Sequence, residues 1–292
     1  MIPREVLKRL RKVEIAAKKL VHSTLQGNYL SAFKGKGIEF DEVREYADGD
    51  DIRSIDWNVT ARLDKPYVKK FIEEREMVVL LLIDLSGSLD FGTQKQLKKD
   101  LALDFCSCVA FSALQNNDRV GLVLFTDKVE KFIPPRKGRK HVMRILRELL
   151  FFKPKNKTTC IDAALSFAQH LLKKHSTLFL VSDFMDPFLN KKKIKRTSRK
   201  HDLVSVILKD KLEEMLPALG LMRLEDPETG KTRLVDTSSK RVLEYLKHQH
   251  DQRMRKIEGL FTSSGVDFIP LYTGQDPIKP LIRFFRARER IA

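Results

Sequence analysis

The sequence predicts an α/β protein with a doubly wound, mostly parallel sheet. From residue 77 onwards, short apolar runs without polar alternation recur along the chain, as is typical of strands buried on both faces. Stretches with helical spacing lie between them, and strands that alternate with helices favour a parallel sheet covered on both sides. In such a sheet, ligands bind beyond the carboxyl ends of the strands, so the chemistry is expected there.

The elements follow in a clear order. Residues 1–24 carry apolar side chains at three- and four-residue steps, which predicts an amphipathic helix, and charge-rich loops follow it. The change of pattern predicts an N-terminal segment, residues 1–76, packed on an α/β domain of residues 77–292. The predicted strands are 77–83, 119–125, 128–133 (antiparallel), 177–182, 202–208 and 266–271, with a hairpin in 219–235 around a turn at 226–230. The predicted helices are 95–115, 140–151, 161–173, 239–262 and 277–288.

The composition indicates a folded and strongly basic protein. Lys and Arg number 56 and Asp and Glu number 39, which gives a formal net charge of +17. A hydrophobic share of 42% is too high for a disordered chain. The apolar runs are far shorter than the roughly 20 residues of a membrane span, and no signal peptide opens the sequence. We therefore expect a cytoplasmic protein, with three buried, reduced cysteines.

Oxygen-bearing side chains cluster at the predicted strand ends. An Asp-x-Ser-x-Ser loop follows the first buried strand, an aspartate follows a later one, and two threonines precede a predicted helix. The candidate ligands are Asp84, Ser86, Ser88, Thr158, Thr159 and Asp183. Carboxylates and hydroxyls are hard oxygen ligands, which suit Mg²⁺ or Mn²⁺ rather than zinc or copper.

This pattern resembles a known metal site. Asp84-x-Ser86-x-Ser88 after a strand, a Thr before Ala163-Ala164-Leu165, and Asp183 after a later strand are similar to the metal-ion-dependent adhesion site of von Willebrand factor A-type domains. The resemblance implies that Ser86, Ser88 and Thr159 hold the metal directly, while Asp84 and Asp183 act largely through water. It also implies a coordination position left for a carboxylate of a protein partner.

A second, more specific resemblance covers roughly residues 30–190. The ordered motifs are Gly37-x-Glu39-Phe40, Arg44-Glu45-Tyr46-Ala47-Asp48-Gly49-Asp50-Asp51-x-Arg53, Ile55-Asp56-Trp57, Thr60-Ala61-Arg62, Gly121-Leu122, Pro134-Pro135 and Ser182-Asp183-Phe184. This series resembles the "domain of unknown function 58" family of bacterial proteins. The resemblance implies partnership with a MoxR-type AAA+ ATPase, beside which family members are usually encoded. Longer members carry transmembrane helices, for which this sequence has no candidate.

Charged residues around these motifs have two expected roles. A buried ion-pair network with Trp57 as a packed anchor is expected to pin the N-terminal segment to the sheet; its members are Arg44, Asp50, Arg53, Asp56 and Arg62. The loop before Thr159, usually Gly-rich in A-type domains, is lysine-rich here. Its lysines would repel a cation but attract an acidic partner. The predicted partner-binding residues are Lys153, Lys155, Lys157 and Asp186.

We therefore expect a non-catalytic, metal-dependent interaction module for a MoxR-type ATPase or its client. One alternative is an electrostatic binder of nucleic acid or anionic membrane, using the basic runs 191–200 and 283–290. Another is a metal-dependent hydrolase, although no histidine directly follows a predicted strand. The Asp84–Ser88 loop alone could also be a helix cap. An EF-hand is disfavoured by Lys95 at the position of the bidentate Glu, and phosphoryl transfer by the lack of a Gly-x-x-x-x-Gly-Lys loop.

Overall fold

The computed structural model describes residues 38–62, 65–73, 77–93 and 96–290. Residues 33–77 form one compact unit, and the chain from Val78 onwards belongs to a second unit. The predicted amphipathic helix of residues 1–24 lies outside the described residues. The packing of the N-terminal segment on the α/β domain stays a prediction.

The smaller unit contains a sheet that the sequence did not predict. Strands β1 (Ile38–Glu45) and β2 (Tyr67–Glu73) pair antiparallel, and a short helix α1 (Trp57–Thr60) lies between them in the chain. These residues were expected to be charged loops. The register of β1 shifts between Phe40 and Glu42, and such a bulge breaks the regular alternation by which a half-buried strand is recognised.

The larger unit is built around a mixed sheet flanked by helices. Its sheet strands are β3 (Val78–Asp84), β4 (Arg119–Phe125), β5 (Val129–Arg136), β6 (Thr177–Ser182), β7 (Asp202–Lys209) and β10 (Asp267–Tyr272). A separate hairpin consists of β8 (Leu221–Glu225) and β9 (Thr232–Asp236). The helices are α2 (Lys98–Gln115), α3 (Arg139–Phe151), α4 (Ile161–Leu171), α5 (Lys191–Lys200), α6 (Lys211–Glu214), α7 (Lys240–Ser263) and α8 (Ile278–Glu289).

The order of the strands confirms the predicted fold class. Across the sheet the order is β10-β7-β6-β3-β4-β5, and every neighbouring pair is parallel except β4 with β5. From β3 the chain first proceeds to β4 on one side and later returns to β6 on the other. The carboxyl ends of β3 and β6 therefore flank the point where the strand order reverses, which is where open α/β sheets bind ligands.

Helices cover both faces of this sheet. On one face, sheet residues such as Leu82 and Phe125 pack with Leu165 of α4 and Phe261 of α7 in one buried cluster. Elsewhere in the sheet, Phe179 of β6 meets Phe105 of α2 edge to face, with ring centroids 5.7 Å apart. Residues 79–83 of β3 are fully buried, as a central strand with helices on both sides requires.

Helix α2 is buried on nearly all sides, which decides the state of two cysteines. Cys106 and Cys108 are both buried free thiols, and burial raises the pKa of Cys108 to about 12. Cys160, by contrast, is only partly buried, so the expectation of three buried thiols is wrong at this position. It stands at the N-cap of α4, at the edge of the sheet.

A buried histidine makes stability depend on pH. His201 follows α5, is fully buried, and has no hydrogen-bond partner for either ring nitrogen among the described residues. Burial, and then the charges of Lys200 and His175, lower the pKa of His201 from 6.5 to about 4. Between these pH values the unfolded chain binds a proton that the folded protein does not. The stabilising contribution of neutral His201 is thus complete above pH 6.5 and is lost as the pH falls towards 4.

We expect His201→Phe to flatten this dependence. The slope of the free energy of unfolding against pH should fall by up to about 1.4 kcal/mol per pH unit in that window, because one proton is no longer taken up on unfolding. Urea unfolding at a series of pH values measures the slope. His248→Gln, at an exposed histidine, is the control. An unchanged slope in His201→Phe would contradict the assignment.

Candidate metal centre

The candidate site lies at the carboxyl ends of β3 and β6. Asp84 is the last residue of β3, and Asp183 directly follows β6. A 3₁₀ turn, residues 87–90, continues the Asp84–Ser88 loop, and Thr159 comes just before α4. The reversal of strand order thus brings three separate loops together, as the sequence predicted for an α/β sheet.

Asp84 is the buried centre of the site. Its Oδ1 accepts a hydrogen bond from the Ser86 backbone N–H at 2.9 Å. Its Oδ2 accepts from the Thr159 hydroxyl at 2.9 Å and from the Ser182 hydroxyl at 2.7 Å. Burial, and then the charge of Asp183, raise the pKa of Asp84 to about 6, against the lowering effect of its hydrogen bonds.

The hydroxyls are held in a way that suits cation binding. Because Thr159 donates its proton to Asp84, the lone pairs of its oxygen are left for another ligand. The Ser86 and Ser88 hydroxyl oxygens lie 3.1 Å apart, and both side chains are buried. Two serine hydroxyls and one threonine hydroxyl, backed by a carboxylate, are a donor set for a hard cation such as Mg²⁺ or Mn²⁺.

Asp183 is engaged by a residue that sequence reasoning missed. The ammonium of Lys98, at the start of α2, lies 3.0 Å from Asp183 Oδ2 and 2.6 Å from Glu213 Oε1, and the Lys98 side chain is fully buried. Burial lowers the pKa of Lys98, but the charges of Asp183 and Glu213 outweigh burial and raise it overall. No local pattern marks Lys98 or Glu213, because 85 and 115 positions separate Lys98 from its partners.

Glu228 is a second residue that sequence reasoning missed. It lies in the turn of the β8–β9 hairpin, which the sequence predicted as a turn without assigning it to the site. Its Oε1 is buried and has no hydrogen-bond partner among the described residues. Burial, followed by the charges of Asp84 and Asp183, raises the pKa of Glu228 to about 7, although the nearby Ser86 hydroxyl lowers it.

Two observations indicate that these residues fit the implied cation: the chemistry of the oxygen donors, and one buried carboxylate oxygen without a hydrogen-bond partner among the described residues. Within residues 78–93 and 96–290, no three His, Cys, Asp or Glu side chains form a metal-binding group by themselves. A site of this kind would instead take hydroxyls as its direct ligands and hold the carboxylates behind them. A cation beside the buried, unpartnered Glu228 oxygen would compensate it.

Comparison with known proteins decides the family. The family model described as "Protein of unknown function DUF58" matches residues 42–255. The chain belongs to this family. Uncharacterized protein Rv1480 of Mycobacterium tuberculosis (strain ATCC 25618 / H37Rv) is 28% identical over 287 residues, covering 96% of this chain and 89% of the relative.

One solved structure supports the same fold, and a second is similar at a lower score. An aerotolerance-related membrane protein from Bacteroides fragilis NCTC 9343 aligns with a TM-score of 0.50 and 12% identity, over 74% of this chain and 100% of that chain. A von Willebrand factor type A protein from Catenulispora acidiphila aligns with a TM-score of 0.42 and 13% identity, over 76% of this chain and 43% of that chain. None of these matches is a named catalytic family. No helix in the described part of this DUF58 chain is long and apolar enough to cross a membrane.

The lysine-rich loop adjoins the site in this DUF58 protein. The Lys157 carbonyl accepts a hydrogen bond of 2.7 Å from the Gly87 N–H. The Glu130 carboxylate accepts hydrogen bonds from the Lys155 and Asn156 backbone N–H groups, which fixes the backbone of the loop. The side chains of Lys153, Lys155 and Lys157 are exposed, so a partner could reach them.

Asp186, predicted as a partner-binding residue, is not exposed to a partner. It is buried, one carboxylate oxygen accepts from the Ile161 N–H at 2.9 Å, and the other accepts from the Phe188 N–H at 2.8 Å. Asp186 therefore fixes the first turn of α4 and the loop after β6. Because both oxygens of this carboxylate accept backbone hydrogen bonds, Asp186 stabilises the loops of the site and is not available to a partner.

The prediction that the ion-pair network is buried is wrong. Arg44 pairs with Asp50 at 2.6 Å on the surface of the smaller unit, with about two fifths of the Arg44 side chain exposed (43%). Asp56 caps α1 through the Asn58 and Val59 N–H groups. Arg53 and Arg62 are exposed, and Trp57 is 67% exposed rather than a packed anchor. A four-residue helix in a two-stranded unit offers little surface under which to bury an indole.

The two basic runs differ in the structure. Helix α5 buries Ile194 and Thr197 and exposes most of its lysines and arginines, which is the amphipathic pattern of a surface helix. In the second run, Arg288 pairs with Asp202 at 2.7 Å and with Asp267 at 2.6 Å, so this arginine has a structural role.

Proposed function

We propose that this chain is a non-catalytic protein-interaction module of the cytoplasm, in which Ser86, Ser88 and Thr159 hold Mg²⁺ or Mn²⁺ for a partner's carboxylate. The supporting observation is the buried Asp84, which accepts a hydrogen bond from the Thr159 hydroxyl and so leaves the lone pairs of that oxygen for another ligand. The bound cation would supply one directional ionic contact. The residues of the chain would fix its place.

The charges around the site support the same proposal. Four carboxyl groups, those of Asp84, Asp183, Glu213 and Glu228, surround it, and the Lys98 ammonium contacts two of them. Carboxylates that outnumber their partners in a buried region are costly, and a divalent cation would neutralise them.

The exposed loop lysines support an acidic partner. Lys153, Lys155 and Lys157 stand beside the site with their side chains in solvent, where they would speed the approach of a negatively charged surface. The family resemblance points to a MoxR-type AAA+ ATPase, or to a client protein delivered to it, as the protein that carries this surface.

The first test of the proposal is thermal unfolding with and without millimolar Mg²⁺ or Mn²⁺. A ligand at about one hundred times its Kd adds about 2.7 kcal/mol to the free energy of unfolding. We expect wild type to melt at a higher temperature with the cation, and Asp84→Ala and Thr159→Val to lose this shift. Thr159→Val removes one hydroxyl with little change of shape, so it answers the question even if Asp84→Ala does not fold.

Thr158→Val is the matched control, because Thr158 is the exposed neighbour of Thr159. It should keep the full shift. Binding of a purified MoxR-type ATPase should then require the cation and fail in Thr159→Val. Binding to nucleic acid or anionic vesicles that ignores Mg²⁺ and collapses with salt would instead favour the electrostatic alternative.

A further inference from the structure

The β8–β9 hairpin ends in a well-ordered turn. The Asp226 carboxylate accepts hydrogen bonds from the Glu228 N–H at 3.0 Å and from the Thr229 hydroxyl at 2.7 Å. The Gly230 N–H donates to the Asp226 carbonyl at 2.8 Å, and so the turn closes on itself. These bonds hold the backbone of Glu228 in one position at the tip of the hairpin.

This tip packs directly on the Asp84–Ser88 loop. A Cβ built on Gly87 would overlap the Pro227 carbonyl oxygen and lie 2.9 Å from its carbonyl carbon. Backbone therefore meets backbone at this point, and only glycine leaves room for it. The approach brings Glu228 close to Ser86, one of the proposed ligands, because Glu228 directly follows Pro227 and Ser86 directly precedes Gly87.

The remaining oxygen of Glu228 lacks a partner where one is most needed. Oε1 is buried, and no described residue donates a hydrogen bond to it. A buried carboxylate oxygen without a donor is costly, so native proteins pair such an atom with a donor, water or an ion. The charged neighbours that raise the pKa of Glu228 most are Asp84 and Asp183. Both are acidic, so neither compensates a charge on Glu228.

We propose that Glu228 is an internal carboxylate ligand of the cation held at Ser86, Ser88 and Thr159. In this arrangement the hairpin occupies the coordination position that a partner's carboxylate would otherwise take. The inference rests on the proposed function and adds its regulation: a partner binds by displacing Glu228.

The hairpin is built to be displaced at low cost. A two-stranded hairpin is marginally stable by itself. Leu221 in β8 is 66% exposed and Leu234 in β9 is 67% exposed, so the two strands bury little apolar surface. Its base is tied by the Thr237 side chain, which bonds the Leu219 N–H and the Gly220 carbonyl. Elements with few buried contacts open first, and here the element that opens carries the competing carboxylate.

Titration with Mn²⁺ alone, followed by water-proton relaxation, tests this inference. In wild type, Glu228 excludes one water from the bound ion. Glu228→Ala should therefore raise the relaxivity of bound Mn²⁺ by the contribution of one further coordinated water. Glu228→Ala and Glu228→Gln should both weaken Mn²⁺ affinity about tenfold, because a charged oxygen ligand is lost.

Glu225→Gln is the matched control, since it removes the same charge from an exposed position of the same hairpin. It should leave both relaxivity and affinity unchanged. Melting curves of each variant without metal show that it is folded. Wild-type values for Glu228→Ala and Glu228→Gln would overturn the internal ligand and leave the proposed function standing. Failure of wild type to bind Mn²⁺ would overturn both.

Discussion

Lys98→Met is expected to lower the free energy of unfolding by about 3–5 kcal/mol, because it leaves the buried Asp183 carboxylate and the partly buried Glu213 carboxylate without their cation. The Lys98 side chain is fully buried, and its ammonium contacts Asp183 at 3.0 Å and Glu213 at 2.6 Å. Methionine keeps the length and apolar character of the side chain. The loss therefore reports the charge and its hydrogen bonds rather than a cavity.

Lys99→Met is the control for this measurement. Lys99 is the next residue along α2, and its partner Asp90 has a side chain 65% exposed. An exposed pair of this kind contributes about 0–1 kcal/mol, so this variant should unfold close to wild type. Urea unfolding of both variants at pH 7 gives the comparison. A loss below about 1 kcal/mol in Lys98→Met would show that solvent or protonation relieves the two carboxylates.

Lys98 also limits what Asp183 can do in the metal centre. One Asp183 oxygen accepts from Lys98, and the other accepts from the Met185 N–H at 3.3 Å. Because each Asp183 oxygen already accepts a hydrogen bond, we expect Asp183 to act on a bound cation through its charge or through water rather than as a direct ligand. The indirect role that the family resemblance implies for Asp183 stays a prediction, and no local pattern indicated an ammonium beside it.

The sheet was predictable because its signals are local. Residues 119–125 and 177–182 form strands with the predicted bounds, since a continuous apolar run bounded by polar residues suffices to define a buried parallel strand. The position of the candidate-site loop was predictable for a related reason. Asp84, Ser86 and Ser88 lie within one loop, and the topology of an α/β sheet decides where that loop must be.

The rest of the site depends on contacts between distant parts of the chain. Glu228 reaches Ser86 only because a surface hairpin folds back over the sheet edge, and no periodicity or motif encodes that return. Strand β1 was missed because its bulge breaks the alternation, and Trp57 was wrongly given a buried position. Aromatic residues are usually buried, but a two-stranded unit has too little interior to follow that rule.

Gly87→Ala is expected to detach the hairpin while leaving the sheet intact. The added methyl group would overlap the Pro227 backbone, so one side must move. The Asp84–Ser88 loop is held by the Gly87 N–H bond to Lys157 and by the bonds of Asp84, whereas the hairpin is largely exposed. The hairpin should therefore move. We expect the free energy of unfolding to fall by about 1–3 kcal/mol, which is typical of an overpacked contact.

Amide hydrogen exchange measures this separation directly. Amides of residues 221–236 should exchange faster in Gly87→Ala, while those of β3 and β6 keep their wild-type protection. Gly259→Ala is the matched control: Gly259 lies in α7 with no atom within 4 Å of an added Cβ, so alanine should stabilise the helix by about 0.5–1 kcal/mol.

Gly87→Ala also tests whether Glu228 needs the contact between the hairpin and Gly87 to reach the cation. If Glu228 reaches the cation only through the contact at Gly87, Gly87→Ala should raise the relaxivity of bound Mn²⁺ as Glu228→Ala does, although its carboxylate is intact. Faster exchange in the hairpin with unchanged relaxivity would mean that the Glu228 side chain follows the metal independently of the turn. Unchanged exchange would mean that the Asp84–Ser88 loop moves instead of the hairpin. The protein should then bind Mn²⁺ more weakly, because Ser86 and Ser88 are displaced.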